Sequence, residues 1–487
     1  YNGDIISHLY VDTRQDDLTY AEFFYTQWNN NKMVPMEFGA HYYFENELKT
    51  DIKEIVLDYS ACLILHELGI FEVLCAYMEH IYVAGTLFGI ISEELRKIPV
   101  KQSDLILSRH QTLKKCQDEM NIRFVDTKIP DDVELIDKKA ADIAFISQYT
   151  ANSYRAAWVT DNGEDSSIQE IEVIAALYQQ GKISKTAYET YENYGLTSRE
   201  EKVLQEKISC LYVDYDVLLK WDDACFLSAV SETYSVLLNK NVLEESEREY
   251  VHLQESEQMC RKLKVLKEVL LQQKNSGKLK FLPMTEEQDR MDYTNMLYSI
   301  LAESEKRNLP ICVDDRVLTS YSVVGDSNIY NSIDMIRILY YSKQITLEQY
   351  STLYKNVIDK RIRYILPDIQ FILYAINISE LDDKCNMLIE SDMLSEIRKY
   401  VIEAVSSASY LKKEPVKHVE IPEREYYIFY LQSQSKELIR LIWQANMQNN
   451  KKVAASEWVL CHFSQFTFDF SGSIQEKDRL KICEIQL

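Results

Sequence analysis

The chain has 487 residues, enough for about three domains of ordinary size, and its 46% apolar content is that of a globular protein. Its 77 acidic and 54 basic residues leave a net charge of −23. That balance argues against a general duplex-binding protein with a basic face. It does not exclude an enzyme whose carboxylates hold divalent cations against phosphate.

Residues 1–50 are rich in aromatics and asparagine, and WNNNKMVP (28–35) reads as a loop. This segment is expected to lead into the first domain, and the start at Tyr1 suggests part of a longer chain. EIVLDYSACLIL then opens with an apolar, β-branched run ending at Asp58, which predicts a buried strand. Leu63, Leu65, Leu68, Val73, Leu74 and Tyr77 follow at helical spacing, with Gly69 dividing two short helices. IYVAG (81–85) predicts a second strand, and FGIISEELRKI a helix carrying Glu93 and Glu94. Residues 100–128 read as a charged helix, 140–156 as another, and AWVTD (157–161) as a strand. IEVIAALYQQGKIS then predicts a helix and turn, with one more helix after Ser184.

The order then begins again. IVLDYSACLILHELGIFEVL (55–74) matches LYVDYDVLLKWDDACFLSAV (211–230), and IEVIAALYQQGKISKTAYETYE (171–192) matches IDMIRILYYSKQITLEQYSTLY (333–354). The second copy has strands at LYVDYD (211–216), SVLLNKN (235–241) and LPICVDDR (309–316). It also has a long charged helix over 244–273 and a helix in MDYTNMLYSILAESEKR. From about 356 the pattern is wholly helical, with Pro422 opening the clearest helix and Leu431, Leu438, Ile442 and Ala445 on its apolar stripe. The expected domains are a segment 1–50, copies at 51–197 and 205–357, and a helical domain at 358–487. Alternating strands and helices imply parallel sheets with ligands at the strand carboxyl ends.

Acidic residues recur in register. Asp58 matches Asp214, Asp142 matches Asp292, and Asp161 matches Asp314, with Asp315 beside it. Glu93 matches Glu249, with Glu94, Glu244 and Glu245 as near alternatives. Singly, such an acid reads as a helix cap or a solvated residue. Grouped at strand ends, carboxylates repel one another unless a cation lies between them, and Mg²⁺ or Mn²⁺ prefers oxygen ligands and keeps several waters. Metal-bound water attacks phosphodiesters at neutral pH. None of the eight histidines recurs between the copies, which argues against a histidine-dependent reaction. Arg155, Arg316 and Lys343 are the basic candidates for touching phosphate. Arg316 is the best of them, with a salt bridge to a neighbouring carboxylate as its alternative.

The ten cysteines form no CxxC pair, which reads as reduced thiols packed in a cytosolic protein. His462 follows Cys461 with no second ligand pair nearby, so no zinc site is expected. No apolar run reaches membrane-spanning length, and no membrane association is expected.

VLDYSACLILHELGI, IYVAGTLFGIISEEL and CVDDRVLTSY with SIDMIRILYYSKQITLEQY resemble PIN domains, above all those fused to tetratricopeptide repeats in large bacterial proteins. The resemblance covers 51–355 as two tandem copies. It implies an α/β fold: two tandem PIN-like three-layer domains with central parallel sheets, followed by the all-helical C-terminal domain. It also implies an Mg²⁺- or Mn²⁺-dependent ribonuclease. The catalytic acids would be Asp58, Glu93, Asp142 and Asp161 in one copy, and Asp214, Glu249, Asp292, Asp314 and Asp315 in the other. The metal ligands among them would be Asp58, Asp142, Asp161, Asp214, Asp292 and Asp314. The partners would be RNA and either a second copy of the chain or a regulatory protein, reached through an upstream region or the C-terminal helices. The setting would be a toxin-like or antiphage effector. The alternative is a catalytically silent scaffold or sensor. WVTDNGED in one copy stands against CVDDR in the other, so the last acidic turn differs between them.

Overall fold

A computed structural model describes residues 5–14, 18–31, 48–120, 122–125, 156–160, 167–194, 208–283, 292–382, 384, 387–406, 412–416 and 419–464. In chain order, α1 (Ser7–Asp12) and α2 (Tyr20–Asn29) precede β1 (Glu54–Leu57), α3 (Tyr59–Glu67), α4 (Phe71–Tyr77), β2 (His80–Ala84) and α5 (Leu87–Lys97). Next come α6 (Ser103–Glu119), β3 (Ile122–Val125), β4 (Ala156–Thr160), β5 (Ile168–Gln169), α7 (Glu170–Gln179) and α8 (Lys185–Tyr194). The first-copy pattern returns as β6 (Cys210–Val213), α9 (Tyr215–Asp223), α10 (Leu227–Thr233), β7 (Ser235–Asn239) and the 36-residue α11 (Lys240–Asn275). Then follow β8 (Leu279–Leu282), α12 (Tyr293–Arg307), β9 (Ile311–Cys312), β10 (Val323–Val324), β11 (Ser327–Tyr330), α13 (Ser332–Tyr341) and α14 (Leu347–Asp359). The remainder is mostly helical: α15 (Ile369–Ile378), α16 (Asp392–Ser406), α17 (Glu423–Gln444) and α18 (Asn449–Val459). Two short hairpins interrupt it, β12 (Glu380–Leu381) with β13 (Leu388–Ile389), and β14 (Lys412–Val416) with β15 (Val419–Pro422).

The chain is α/β with two parallel sheets, and the sheets do not follow the contiguous copies. One sheet has the order β10-β11-β9-β1-β2-β8, parallel except for the edge strand β10. The other has the order β3-β7-β6-β4-β5, parallel throughout. β1 and β2 of the first copy therefore pair with β9 and β8 of the second, and β11 extends the sheet beyond β9. Val56 lies opposite Ile311, and Ala84 opposite Leu282. In the same way β6 and β7 of the second copy pair with β3 and β4 of the first, with Val159 opposite Val213. The two strand orders superimpose, β8-β2-β1-β9-β11 on β3-β7-β6-β4-β5, so the copies have exchanged halves.

The compact units follow the exchange. Unit 1 is Tyr1–Ile98 with Met259–Leu487, and unit 2 is Pro99–Gln258. The expected boundaries 51–197 and 205–357 therefore each cut through a unit. The expected 358–487 domain is not separate either, because Ile372, Ile397, Leu431 and Leu438 share one apolar core with Val56, Ile311 and Ile336. The 1–50 segment is no mere lead-in: Tyr20, Phe23, Phe24, Tyr25 and Trp28 of α2 are buried in that core. Each fully buried side chain of this kind contributes about 1.5–3 kcal/mol. Unit 2 has its own core, built around Leu113, Val159, Ile174, Leu211, Trp221 and Val236.

Local sequence signals account for the element ends. Gly69 takes φ +69° between α3 and α4, a left-handed turn that favours glycine. Thr19 and Glu22 form a capping box at α2, as do Asn331 and Asp334 at α13. Pro422 is the N-cap of α17 and the end of β15, not the first helical residue. The charged 100–128 segment ends in the strand β3 instead of continuing as helix. The helix expected over 140–156 lies outside the described residues, apart from Ala156 in β4. Among the described residues no single helix is long and apolar enough to cross a membrane.

The exchange has a direct test. Residues 1–98 and 259–487, expressed as separate polypeptides in one cell, are expected to co-purify as a one-to-one complex, because their strands complete one sheet and one core. Recovery of either fragment alone and soluble, with no complex on size-exclusion chromatography, would contradict the pairing.

Candidate functional site

Unit 1 gathers acids from both copies at the carboxyl ends of β1 and β9. β1 delivers Asp58, whose amide donates to the carbonyl of Cys312 at the end of β9 (3.0 Å). Asp58 caps α3 through the amide of Ser60 (3.1 Å) and also accepts the Ser60 hydroxyl. The same Ser60 oxygen accepts from the amide of Asp314 (2.9 Å), so one side chain bridges the two strand-end acids. Asp314 is held by the amide (2.9 Å) and hydroxyl (2.5 Å) of Ser332 at the start of α13. Asp315 accepts from the amides of Val317 (2.9 Å) and Leu318 (3.3 Å). Asp334 closes the α13 capping box and pairs with Arg337 at 3.1 Å. Asp58, Asp314, Asp315 and Asp334 are all buried.

The N-terminal helices complete this centre. His8 Nε2 lies 3.0 Å from Asp58 Oδ1, and the Ser7 amide donates to Asp315 Oδ2 at 2.7 Å. Asp12 accepts from the amides of Tyr293 (3.2 Å) and Thr294 (2.7 Å) in the first turn of α12. The Ala21 amide donates to Glu94 (3.2 Å), which also receives the hydroxyls of Tyr59 and Tyr293, the latter at 2.6 Å. Tyr20, Tyr59 and Tyr293 pack around that carboxyl, with Tyr20 5.6 Å from Tyr59 and 5.5 Å from Tyr293 between ring centres.

Of the acids expected from sequence, Asp58, Asp314 and Asp315 come together. Glu93 does not: it is exposed and bound to Arg96, while its neighbour Glu94 is the buried one. The 3.6-residue period of α5 puts adjacent residues about 100° apart, so only one of the two can face inward. Asp292 caps α12 through the amide of Asn295 (2.6 Å). Arg316 is buried against Glu423 of α17, with its guanidinium 5.7 Å from the Tyr364 ring centre, so a carboxylate is among its partners. Lys343 is exposed at the end of α13. In unit 2, Asp214 is half-buried and accepts from the Trp158 indole at 2.9 Å, and Glu249 is exposed. Asp142, Asp161 and Arg155 lie outside the described residues. Asp334 was legible but unread: it stands opposite Glu172 at the same offset (334 − 172 = 162) that aligns the two α7-type helices. His8 had no twin to reveal it.

The residue types suit Mg²⁺ or Mn²⁺, since they supply oxygen donors. The arrangement does not: among the described residues no group of three or more His, Cys, Asp or Glu stands where it could hold a metal ion. The protein's own donors already occupy the carboxylates.

Burial sets the electrostatics. It pushes Asp314 up to about 7 against its Ser332 donors, with Asp58 and Asp334 adding repulsion. It likewise pushes Glu94 up to about 7, partly offset by Tyr293, Tyr59 and Ala21. Asp58 differs: burial would raise it, but His8 and Ser60 outweigh burial and hold it below the ordinary range. Burial would lower His8, but Asp58 outweighs it and the imidazole is raised. His8 and Asp58 thus form a buried ion pair, and removing one partner of such a pair costs about 3–5 kcal/mol.

The pH dependence follows in sign. Asp314 and Glu94 ionise near pH 4 when unfolded and near pH 7 when folded, so their stabilisation is complete below pH 4 and is lost as pH rises through 7. His8, also raised, adds loss in the same direction above its ordinary 6.5. Asp58, lowered, contributes above its ordinary 3.8 and loses that contribution only as pH falls below it. The melting temperature is therefore expected to fall from pH 5 to pH 8. Glu94→Gln with Asp314→Asn should flatten that fall by on the order of 2 kcal/mol at pH 8, read by thermal melts at both pH values.

Comparison of the chain with protein-family models, with curated proteins and with solved structures found no match.

Proposed function

We propose that unit 1 carries a PIN-like acidic centre for metal-dependent phosphodiester hydrolysis in RNA. The observation supporting this reading is the meeting of Asp58 with Asp314 and Asp315. These acids were picked out in two different copies of the sequence, and the exchange of halves brings them to adjacent parallel strand ends, joined through Ser60. Strand carboxyl ends are where ligands bind in such sheets. Unit 2 supports the same reading less well, because its Asp214 is tied to Trp158 and its Glu249 faces solvent. Since among the described residues no three acids stand ready for an ion, no chemical step is assigned to a metal.

A second reading, a silent PIN-like scaffold or sensor, is favoured by one specific observation: the buried carboxylates have protein donors. Asp58, Asp314 and Glu94 each receive at least two hydrogen bonds from the chain itself. Groups satisfied in this way serve stability without any ligand.

The test is cleavage of mixed-sequence single-stranded RNA in Mn²⁺, with Mn²⁺ binding followed by calorimetry. Asp58→Asn and Asp314→Asn should each lower cleavage by about 10²-fold or more, and the double variant should lose little further, as residues acting as one unit do. Asp214→Asn should leave most of the activity. Independent, multiplying losses from Asp58→Asn and Asp214→Asn would place the activity elsewhere. A folded protein that neither cleaves RNA nor binds Mn²⁺ would leave the scaffold reading.

A further inference from the structure

We infer that the second half of α11, with Phe281 and Phe88 beside it, binds a single-stranded polynucleotide. Lys264, Lys267 and Lys274 take its phosphates, and the two phenyl rings take its bases. This goes beyond the nuclease reading, since it needs neither a metal ion nor cleavage.

Charge along α11 carries the inference. In a chain of net charge −23, residues 260–283 hold seven lysines and arginines and one acid, Glu268. The preceding stretch, 241–259, holds six acids and one arginine, Arg248. The sign changes where α11 passes from unit 2 into unit 1, between Gln258 and Met259. Lys264, Lys267 and Lys274 stand at i, i+3 and i+10, which the helical period puts on one stripe about 15 Å long. The helix dipole favours cations within the last turn. That accounts for Lys274, but not for Lys267 and Lys264, about two and three turns earlier.

These lysines also lack the partners that other lysines of this acidic chain have. Lys114 pairs with Glu247, Lys220 with Glu170 and Lys355 with Asp359. Among the described residues, Lys264, Lys267 and Lys274 pair with no carboxylate. Lys267 donates to the Ser92 hydroxyl of α5 (2.8 Å), and Lys274 Nζ lies 4.5 Å from the Phe281 ring centre and 5.9 Å from that of Phe88. Phe281 is 36% exposed on the edge strand β8 and meets Phe88 of α5 edge-on, with ring centres 5.5 Å apart. Cations that track a backbone beside rings that accept bases are what sequence-tolerant single-strand binders use. A duplex keeps its base faces in its own stack, so the rings would gain nothing from it.

The sheet sets the band near the acidic centre. Val56 is level with Tyr82, so Asp58 is level with Ala84, which faces Leu282 of β8. Phe281 is one residue short of that level and two strand spacings across the sheet, about 10 Å. A strand held on the band would therefore pass close to Asp58.

The experiment titrates the full chain into short, labelled, mixed-sequence single-stranded RNA in EDTA, read by fluorescence anisotropy over a salt series. Binding is expected, weakening as salt rises. Lys264→Ala with Lys267→Ala and Lys274→Ala should weaken it at least ~10-fold and flatten the log–log salt slope by about 2, since each single-strand phosphate contact contributes about 0.7. Phe281→Ala should cost about 5-fold or more with the slope unchanged. The matching duplex should bind at least ~10-fold more weakly than the single strand. If the triple variant does not melt cooperatively, Lys264→Glu at its exposed position takes its place, with a loss of affinity expected. Absence of binding at low salt, unchanged affinity in the lysine variants, or equal affinity for the duplex overturns the inference. A salt-sensitive dimer of the chain that the triple variant lacks, with no RNA bound, would give the band to an acidic second copy instead. RNA binding in EDTA without cleavage in Mn²⁺ sinks the nuclease reading and leaves the band. Cleavage in Mn²⁺ by the triple variant with unchanged KM sinks the band and leaves the nuclease reading.

Discussion

The parallel pairing of β1 with β9 is the constraint on which the rest depends. It sets Val56 against Ile311 and Leu57 against Cys312, joining segments from opposite halves of the chain. Everything distinctive in unit 1 follows from it. The ladder places the end of β1 beside the end of β9, so that Asp58 and Asp314 meet over Ser60. It also sends the chain after β2 out to build unit 2 before it returns through α11 to add β8. An ordinary tandem array would have put Asp58 with Asp161 and Asp214 with Asp314.

Much of this was legible in the sequence, and the limit of legibility is physical. The strands, the Gly69 break and the duplication could be read because apolar period, glycine backbone preference and residue identity are local properties. The sequence picked out Asp58, Asp314 and Asp315 through their recurrence at strand ends. Partner choice between two copies of one strand–helix pattern is different. The first half of either copy offers an equivalent strand edge to the second half of either copy, so local pattern cannot decide between neighbours and exchanged partners. The choice between Glu93 and Glu94 failed for a smaller reason: both lie on one amphipathic helix, and the inward face of α5 is set by packing against Tyr59 and Tyr293. His8 escaped because its role comes from the N-terminal segment folding back onto Asp58, a contact that no repeat could flag.

The buried acids show a tension common to carboxylate clusters. Asp314, Asp334 and Glu94 are all pushed upward by burial, whereas Asp58 is held ionised by an imidazole. A cluster of this kind either takes a cation or neutralises itself with protons and protein donors. In this conformation the second solution is realised, with tyrosine hydroxyls, serine hydroxyls, backbone amides and His8 as the donors. So satisfied, the buried acids form a polar core completed by the chain's own donors.

The exchange of halves also has a consequence during synthesis. Leu57 leaves the ribosome 255 residues before its partner Cys312 (312 − 57). At about 5–20 residues per second that interval is roughly 13–50 s. For most of it, until β8 follows at Leu279–Leu282, β1 and β2 lack both outer neighbours, while every strand of unit 2 is made within the intervening stretch. The nascent chain thus carries an unfinished hydrophobic edge past a completed neighbour. This is the situation in which pairing with another chain competes with waiting. The net charge of −23 works against that competition, since like-charged nascent chains repel one another while the missing strands are still being translated.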